Sequence, residues 1–395
     1  MALFSKKIKR FVDGRKSVFY TLKENIFSSD KTIWFHCASL GEFEQGVPIM
    51  EEIRKLKPDH KFVVSFFSPS GYEVKKNTTL ADVVIYLPMD TPGNAKRFIA
   101  AVHPNLVFFV KYEFWPNYLL ELNRNKITTL LISGVFQKKQ IFFKSYGNFM
   151  RQALNAFDHF FVQDENSSNL LNDIGFQNNS ISGDTRFDRV SHQLKKDNSL
   201  KFAEEFIGNS LCIVCGSTWK EDEEVLLEYI NSASDRVKFI IAPHKIDPQH
   251  INNFKKLIEK KTILHSELDE VNISEYNVLI IDCIGLLTKL YHYADIAFVG
   301  GAMGSTGLHN ILEPAAFGVP IVIGKNYSGF PEAATLQSLG GLFTVKNATD
   351  IVEIFTKLVD DNNLRKKTGT ISSNFVYQNL GATQKIMNYI IKHSI

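Results

Sequence analysis

Glu42 is the acidic residue whose position in the sequence best suits proton transfer. It follows an apolar stretch at 32–37 and the mostly small residues at 38–41 (ASLG), which let the backbone turn tightly from a strand into a helix. A carboxylate in the first turn of a helix faces its positive end and could accept a proton from a bound alcohol. Ser39 precedes Glu42 at the spacing of a capping box, so a purely structural role stays open. Glu44 competes for either role from another face of the same helix.

Three further polar loops follow apolar stretches. Residues 68–71 (SPSG) place hydroxyl groups and a glycine where an anion or a sugar hydroxyl could bind. Residues 216–218 (GST) precede an acidic helix and serve either as an ordinary N-cap or as part of a phosphate site. Residues 242–245 (APHK) offer an imidazole and an ammonium group to an anion, although a lone histidine is more often structural.

The longest polar loop begins at Gly300 and contains four glycines before His309. Its spacing is not that of the dinucleotide fingerprint, and no acidic residue follows at the longer spacing at which that fingerprint binds the ribose of a dinucleotide. A glycine-rich loop before a helix supplies free amide groups to phosphate, and we expect the helix to begin near His309. Asn310 and Glu313 would then share one helical face, where a carboxylate can bind both hydroxyls of a ribose. The loop predicts a nucleotide site, and the chain contains no D-x-D motif that would hold a divalent ion.

The elements that must position these loops alternate between apolar strands and amphipathic helices, as in parallel sheets. In the first half, we predict strands near 32–37, 61–67, 82–86, 105–110, 127–132 and 158–162. The alternation restarts after a polar interval, with strands near 211–215, 237–242, 262–265, 278–281, 295–299, 319–323 and 342–345. The sequence therefore predicts an α/β protein of two Rossmann-like, doubly wound domains, with ligands in a cleft at the carboxyl ends of the strands.

Composition narrows the classes of protein to consider. Hydrophobic residues make up 44% of the chain and charged residues 22%, as in ordinary globular proteins. The net charge of +3 argues against a dedicated nucleic-acid binder. No apolar run is long enough to span a membrane and no secretory signal is recognisable, so we expect a cytoplasmic location. Cys212 and Cys215 form a C-x-x-C motif, but they lie in a strand pattern that points them to opposite faces, which disfavours a redox or zinc site.

Together the motifs resemble those of GT-B glycosyltransferases and, more narrowly, of the bacterial 3-deoxy-D-manno-octulosonic acid (Kdo) transferases of lipopolysaccharide synthesis. The likeness covers nearly the whole chain from residue 31. It rests on ASLGE at 38–42, SPSG at 68–71, YLPMD at 86–90, EFWPN at 113–117, GDTRFD at 183–188, GST at 216–218, and the block at 300–320 that ends in HNILEPAAFGVP.

This resemblance implies transfer of Kdo from CMP-Kdo to a tetraacylated lipid A precursor, with inversion at the donor carbon and without a metal or other cofactor. Glu42 corresponds to the catalytic base. The predicted donor-binding residues are Pro243, His244, Ile284, Gly285, Leu286, Asn310, Ile311, Leu312 and Glu313, to which we add Ser217 and Gly301. The predicted acceptor-binding residues are Ser70, Gly71 and Glu113. Family members commonly have arginine in place of His244 and often a polar or acidic residue in place of Leu286.

The resemblance also implies a division of the chain and a place in the cell. We expect an acceptor domain over 31–190, a CMP-sugar domain over 205–372 and a C-terminal helix over 373–395. Residues 1–30 are basic and amphipathic, and they are either a solvated helix or a contact with the cytoplasmic face of the inner membrane. Many family members have a more apolar helix at this end.

A second basic and apolar segment lies at 138–151 (KKQIFFKSYGNFMR). It could offer Phe142, Phe143, Phe149 and Met150 to acyl chains or to a bilayer, and Lys138, Lys139, Lys144 and Arg151 to phosphates. Alternatively, it is an amphipathic helix whose apolar side lies in the core.

Two other functions remain open at this point. One is a different GT-B enzyme, such as a UDP-sugar transferase or a UDP-N-acetylglucosamine epimerase. The other is a nucleotide-binding protein without catalytic activity, in which Glu42 only caps a helix.

Overall fold

The computed structural model describes residues 6–269 and 271–395, without the side chains of residues 6–8 and 10. These residues form two compact units. The first comprises the chain up to Arg189 together with Asn379–Ile395, and the second is Val190–Gln378. Of the basic segment predicted over 1–30, residues 1–5 and the side chains of Lys6, Lys7 and Arg10 lie outside the described residues.

The first half of the chain alternates strands and helices in the following order. The elements are α1 (Lys6–Lys16), α2 (Val18–Asn25), β1 (Lys31–Cys37), α3 (Leu40–Leu56), β2 (His60–Phe66), α4 (Pro69–Lys75), β3 (Val83–Tyr86), α5 (Pro92–Val102), β4 (Pro104–Val110), α6 (Pro116–Arg124), β5 (Thr128–Gly134), α7 (Asn148–Leu154), β6 (His159–Val162), α8 (Glu165–Asp173), β7 (Asn179–Ile181) and α9 (Thr185–Leu194).

The second half repeats the alternation. Its elements are α10 (Lys201–Ile207), β8 (Leu211–Thr218), α11 (Lys220–Ser232), β9 (Val237–Pro243), α12 (Pro248–Leu257), β10 (Thr262–Leu264), β11 (Val278–Ile280), α13 (Leu287–Leu290), β12 (Ile296–Val299), α14 (Leu312–Ala316), β13 (Ile321–Gly324), α15 (Pro331–Leu339), β14 (Leu342–Val345), α16 (Ala348–Asp360), α17 (Asn362–Gln378) and α18 (Ala382–Lys392). Helix α18 belongs to the first unit.

The described residues form two sheets, each of seven strands, in the orders β3-β2-β1-β4-β5-β6-β7 and β10-β11-β9-β8-β12-β13-β14. All described strand pairs are parallel. In each sheet the chain first adds strands on one side of its first strand and then crosses to the other side. The resulting switch points lie between β1 and β4 and between β8 and β12, and ligands of such sheets bind outside the carboxyl ends of the strands at these points.

The predicted α/β class is confirmed, and every predicted strand is present with ends shifted by a few residues at most. The sequence analysis missed β7, whose residues Asn179–Ile181 are largely polar and none of which is buried. The central strands are apolar because both faces of each sheet are covered. Cys212 and Cys215 lie in β8 as predicted and are fully buried, and this burial raises the pKa of both thiols.

The N-terminal helices pack on the first unit. Val18 and Leu22 belong to its hydrophobic core. The Arg15 guanidinium donates hydrogen bonds to the carbonyl oxygens of Phe67 and Leu87, which follow β2 and β3, at 2.7 and 2.9 Å. No described helix is both long enough and apolar enough to cross a membrane.

The contact between β13 and the glycine-rich loop leaves no room for a side chain at Gly324. A Cβ atom there would lie 2.4 Å from the backbone carbon of Ala302 and from the nitrogen of Met303. Since backbone atoms cannot move aside independently, we expect Gly324→Ala to lower the free energy of unfolding by about 1 to 3 kcal/mol. Thermal unfolding followed by circular dichroism would measure the change. Gly329→Ala is the matched control, because a Cβ atom there meets nothing within 4 Å, and equal stability of the two variants would contradict the prediction.

Candidate active site

Glu42 lies in the first turn of α3, directly after β1 and at the switch point of the first sheet. Its residue surface is only 6% exposed. The Ser39 hydroxyl donates a hydrogen bond to Oε2, whereas Oε1 accepts none from a described residue. Ser39 occupies the N-cap position, but its side chain makes no bond to the backbone of α3. The capping-box alternative is therefore wrong, and Ser39 instead holds one oxygen of the carboxylate.

Glu44 is occupied by two ion pairs. Its oxygens lie 2.8 Å from Lys75 Nζ and 2.9 Å from Arg189 Nε. Burial acts to raise the pKa of Glu44, but Arg189 and Lys75 outweigh it and hold the pKa below its ordinary value. A carboxylate with two cationic partners and a lowered pKa is a poor base, so Glu42 is the better candidate of the two.

Glu113 follows β4, on the other side of the same switch point. Burial raises the pKa of the neighbouring Tyr112 phenol, and the charges of Glu42 and Glu113 raise it further. Burial is also the main cause of the raised pKa of Cys37, and the same two carboxylates raise that pKa further. Glu42 and Glu113 therefore both lie near Tyr112 and Cys37.

A buried hydrogen-bond network orients Glu113. The Trp115 indole N–H lies 2.8 Å from His36 Nε2 and 2.9 Å from Glu113 Oε2. The single indole proton faces both acceptors, and the other ring nitrogen of His36, Nδ1, lies 2.9 Å from Ser65 Oγ. The sequence analysis included Trp115 in the EFWPN motif but did not recognise this network, because His36 and Ser65 lie far from that motif in the chain.

Ser70 and Gly71 lie in the first turn of helix α4. The Ser70 hydroxyl and amide both bond to Ser68 Oγ, so they form a local cap. A Cβ atom at Gly71 would lie 2.9 Å from the backbone carbon of Ser39, and Ser68 N donates to Ala38 O at 2.7 Å. Because Gly71 has no side chain, the loop after β2 can pack closely against the turn that contains Glu42.

Asp222 holds the glycine-rich loop of the second unit. Its fully buried carboxylate accepts hydrogen bonds from the backbone N–H groups of Trp219, Gly301 and Met303, at 2.9, 2.8 and 3.3 Å. Burial raises the pKa of Asp222, and the three amide bonds act in the opposite direction. The expectation of free amides in this loop is thus wrong for Gly301 and Met303. The sequence analysis missed Asp222, whose only signal was its place in the acidic start of α11.

The helix expected near His309 begins at Leu312 instead. The preceding loop closes on itself, with His309 N donating to Gly300 O at 3.1 Å. Asn310 still meets Glu313, because its Nδ2 donates to Oε1 at 3.1 Å, and the Thr288 hydroxyl donates to Oε2 at 3.0 Å.

The other residues predicted to bind CMP follow strands of the second sheet. Their places are Pro243 at the end of β9, Ile284, Gly285 and Leu286 between β11 and α13, and Ile311 and Leu312 around the start of α14. Ile311 and Leu312 are buried, so only their backbones could contact a ligand, whereas Ile284 is 81% exposed. Gly285 has φ +97°, a conformation that favours glycine.

Ser217 and His244 lie beside Trp219 at the switch point of the second sheet. Ser217 has φ +54°, in the left-handed region. The His244 ring stacks on Trp219 with a centroid distance of 4.7 Å and on His309 at 4.3 Å. Burial lowers the pKa of His244, as does the nearby Lys245. His244 is therefore a neutral imidazole at neutral pH.

The segment 138–151 is neither a long helix nor wholly exposed. It forms a 3₁₀ turn at Ile141–Phe143 followed by α7. Phe142 is buried in the core of the first unit, so its predicted contact with acyl chains is wrong. Arg151 donates to the carbonyl oxygens of Phe142 and Lys144. Three large apolar side chains of the segment are exposed, namely Ile141, Tyr146 and Phe149.

Residues 12–189 match the family model described as 3-deoxy-D-manno-octulosonic-acid transferase (kdotransferase). The chain is similar to such transferases from Chlamydophila psittaci, with 27% identity over 89% of this chain and 84% of that protein, and from Aquifex aeolicus, with 27% identity over 85% of this chain and 88% of that protein. The resemblance to Kdo transferases that the sequence motifs predict is confirmed. The family models and these relatives support a glycosyltransferase.

Three further comparisons concern the second unit and the fold. Residues 275–374 match the family model of glycosyl transferases group 1. The fold is similar to that of the UDP-GlcNAc 2-epimerase from Neisseria meningitidis, with a TM-score of 0.64 and 17% identity over 91% of this chain and 100% of that one. It is also similar to a glycosyltransferase from Rickettsia africae, with a TM-score of 0.58 and 16% identity over 91% and 98% of the two chains. The predicted GT-B class is confirmed.

The ion pairs of Glu44 predict a stability that depends on pH. Because its pKa in the folded protein is lowered, Glu44 stabilises the fold above the ordinary carboxylate pKa of about 4.3, and this contribution is lost as the pH falls through the lower folded value. We expect Glu44→Gln to lower the free energy of unfolding by about 1 kcal/mol at pH 7, and by much less at an acidic pH below both the unfolded and the folded pKa. Thermal unfolding at both pH values would measure this.

Glu73→Gln is the matched control for Glu44→Gln. Glu73 forms an ion pair with Lys76 in which both side chains are more than a third exposed, so its loss should change stability little. A Glu44→Gln effect that is the same at both pH values, or no larger than that of Glu73→Gln, would contradict the prediction.

Proposed function

We propose that this chain transfers Kdo from CMP-Kdo to a tetraacylated lipid A precursor, with inversion at the donor carbon and without a metal ion, at the cytoplasmic face of the inner membrane. The similarity to Kdo transferases supports Kdo as the transferred sugar. The remaining details rest on the positions of particular residues at the two switch points.

The position of the Glu42 carboxylate is the observation that carries the mechanism. It lies at the carboxyl end of β1, with one oxygen held by Ser39 and the other without a hydrogen-bond donor among the described residues. In the proposed reaction, Oε1 takes the proton from the primary hydroxyl of the acceptor. The hydroxyl oxygen forms the new bond to the donor carbon, while the bond from that carbon to the phosphate breaks and CMP leaves with the bonding electrons.

Glu113 would help to hold the acceptor beside Glu42. Its carboxylate is fixed by the Trp115 indole, which itself is anchored on the buried His36. A side chain fixed in this way loses little entropy when it binds a sugar hydroxyl. The Ser68–Gly71 turn supports the loop of Glu42 from the other side.

The loops of the second unit would bind CMP. Glu313 is suited to the ribose, since a carboxylate can accept hydrogen bonds from two neighbouring hydroxyl groups. Asn310 and Thr288 hold this carboxylate in place. CMP is a reasonable leaving group, so the proposed metal-free reaction needs little help with its departure. These loops would therefore orient the donor, and they would not activate the acceptor.

The exposed residues of the segment 138–151 would contact the membrane that contains the acceptor. Ile141, Tyr146 and Phe149 are apolar and exposed, and Lys138 and Lys139 are exposed beside them. Such a combination suits the interface of an anionic bilayer.

Glu42→Gln tests the assigned base. Glutamine has the same shape but cannot accept a proton, so we expect turnover to fall about 10²- to 10⁴-fold while the affinity for CMP stays the same. Mass spectrometry of the lipid A precursor after incubation with CMP-Kdo would measure turnover, and calorimetry would measure CMP affinity. Glu73→Gln, an exposed carboxylate of the same unit, is the control. Full turnover in Glu42→Gln would refute the assignment, and no product with the wild-type protein would refute the proposed function.

Liposome binding tests the membrane contact. We expect vesicles that contain anionic lipid to retain the wild-type protein, and the double variant Tyr146→Ser, Phe149→Ser to be retained several-fold less, because burial of each ring in the interface stabilises the bound state. Tyr377→Ser is the matched control, since Tyr146 and Tyr377 are both 75% exposed. Equal retention of the double variant and the control would rule out this surface.

A further inference from the structure

Trp219, His309 and His244 form one aromatic stack at the carboxyl ends of β8, β9 and β12. The planes of the Trp219 and His309 rings are nearly parallel, at 10°, and Trp219 Nε1 donates to His309 Nε2 at 3.0 Å. His244 stacks over both rings, and Lys245 Nζ lies 4.5 Å from the centroid of the Trp219 ring.

The indole decides which nitrogen of His309 carries the proton. Because an indole N–H can only donate, Nε2 must supply its lone pair, and the proton of the neutral ring is on Nδ1. Burial and the neighbouring His244 lower the pKa of His309 to about 4, so the ring is neutral at neutral pH. His309 is therefore held as a single tautomer.

The direction of the Nδ1–H bond of His309 follows from the contacts of the opposite ring atoms, Nε2 and Cδ2. Nε2 faces Trp219, and Cδ2 lies 3.0 Å from the place of a Cβ atom at Gly301. Nδ1 is opposite the Nε2–Cδ2 bond in the five-membered ring, so its N–H points away from both residues. No described residue accepts a hydrogen bond from it. The stack thus presents one oriented, neutral donor with no partner in the described part of the chain.

We propose that His309 donates a hydrogen bond from Nδ1 to a phosphate oxygen of the donor nucleotide, and that Trp219 is the positioning residue that keeps the proton on that atom. The proposal rests on the CMP site of the proposed function. An oriented N–H donor is well suited to bind a phosphate oxyanion, because a donor that already points to the binding position needs no reorganisation when the anion binds. Lys245 supplies positive charge nearby, and His244 shields the Trp219–His309 bond from water.

Affinities for CMP and for cytidine, which lacks the phosphate, test this role. We expect His309→Ala to weaken CMP binding about 10-fold or more, the scale of a hydrogen bond to a charged group, and cytidine binding less than about 2-fold. His309→Asn places an amide N–H near the position of Nδ1 and should recover CMP affinity to within about 3-fold of the wild type. Trp219→Phe keeps an aromatic ring in the stack but frees the tautomer, so CMP affinity should fall about 3- to 10-fold.

A spectroscopic measurement separates positioning from a merely structural role. In ¹⁵N-histidine-labelled full-length protein, nitrogen–proton correlation spectra should show His309 as the Nδ1–H tautomer, and Trp219→Phe should shift it to a mixture. His292→Ala is the control, because this imidazole of the same unit packs on Tyr293 and Phe317, outside the stack, and its loss should leave CMP affinity unchanged.

The outcomes that overturn the proposal are distinct from those that overturn the proposed function. An Nε2–H tautomer in the wild type, an equal loss of CMP and cytidine affinity in His309→Ala, or the same loss in His292→Ala would each overturn it. If the wild type transfers Kdo while His309→Ala binds CMP normally, only the present proposal fails. If the wild type does not bind CMP, both fail.

Discussion

The parallel pairing of β1 with β4 and of β8 with β12 is the constraint on which the candidate residues of each unit depend. In each sheet the chain changes direction at this pair, so the loops that leave the two strands diverge and leave room at the carboxyl ends. Both faces of the central strands are buried, and polar chemistry is therefore confined to these loops. Glu42 and Glu113 lie at one such point, and Trp219 and the glycine-rich loop at the other.

Buried polar side chains hold these loops in one conformation. Asp222 accepts three backbone amides and joins the loop after β8 to the loop after β12. In the first unit, His36 and Trp115 hold Glu113, and Ser39 holds one oxygen of Glu42. A buried polar group without a partner would destabilise the fold, so each of these groups favours the single arrangement in which it is satisfied. The same bonds that stabilise the loops also orient the side chains that could act on a substrate.

The sequence predicted the fold well because its signals are local. Continuous apolar runs marked the strands, and only β7 was missed, since it is short and polar. The candidate site was predicted in outline, as loops after particular strands. Predictions failed where residues from distant parts of the chain come into contact. Asp222 accepts a hydrogen bond from the amide of Gly301, which is 79 residues away. The side chain of Phe142 is buried in the core of the first unit.

The sequence by itself determined the order of strands and helices, the family motifs and the polar residues that follow each strand. Only the tertiary structure decided which carboxylate has an oxygen free and which nitrogen of a histidine carries the proton. Glu44 has a sequence position similar to that of Glu42, yet its carboxylate forms ion pairs with Lys75 and Arg189. The proton of His309 is placed by Trp219, 90 residues away. The physical reason is that hydrogen bonds and ion pairs depend on distances of about 3 Å, and folding brings together side chains whose separation along the chain carries no sign of that contact.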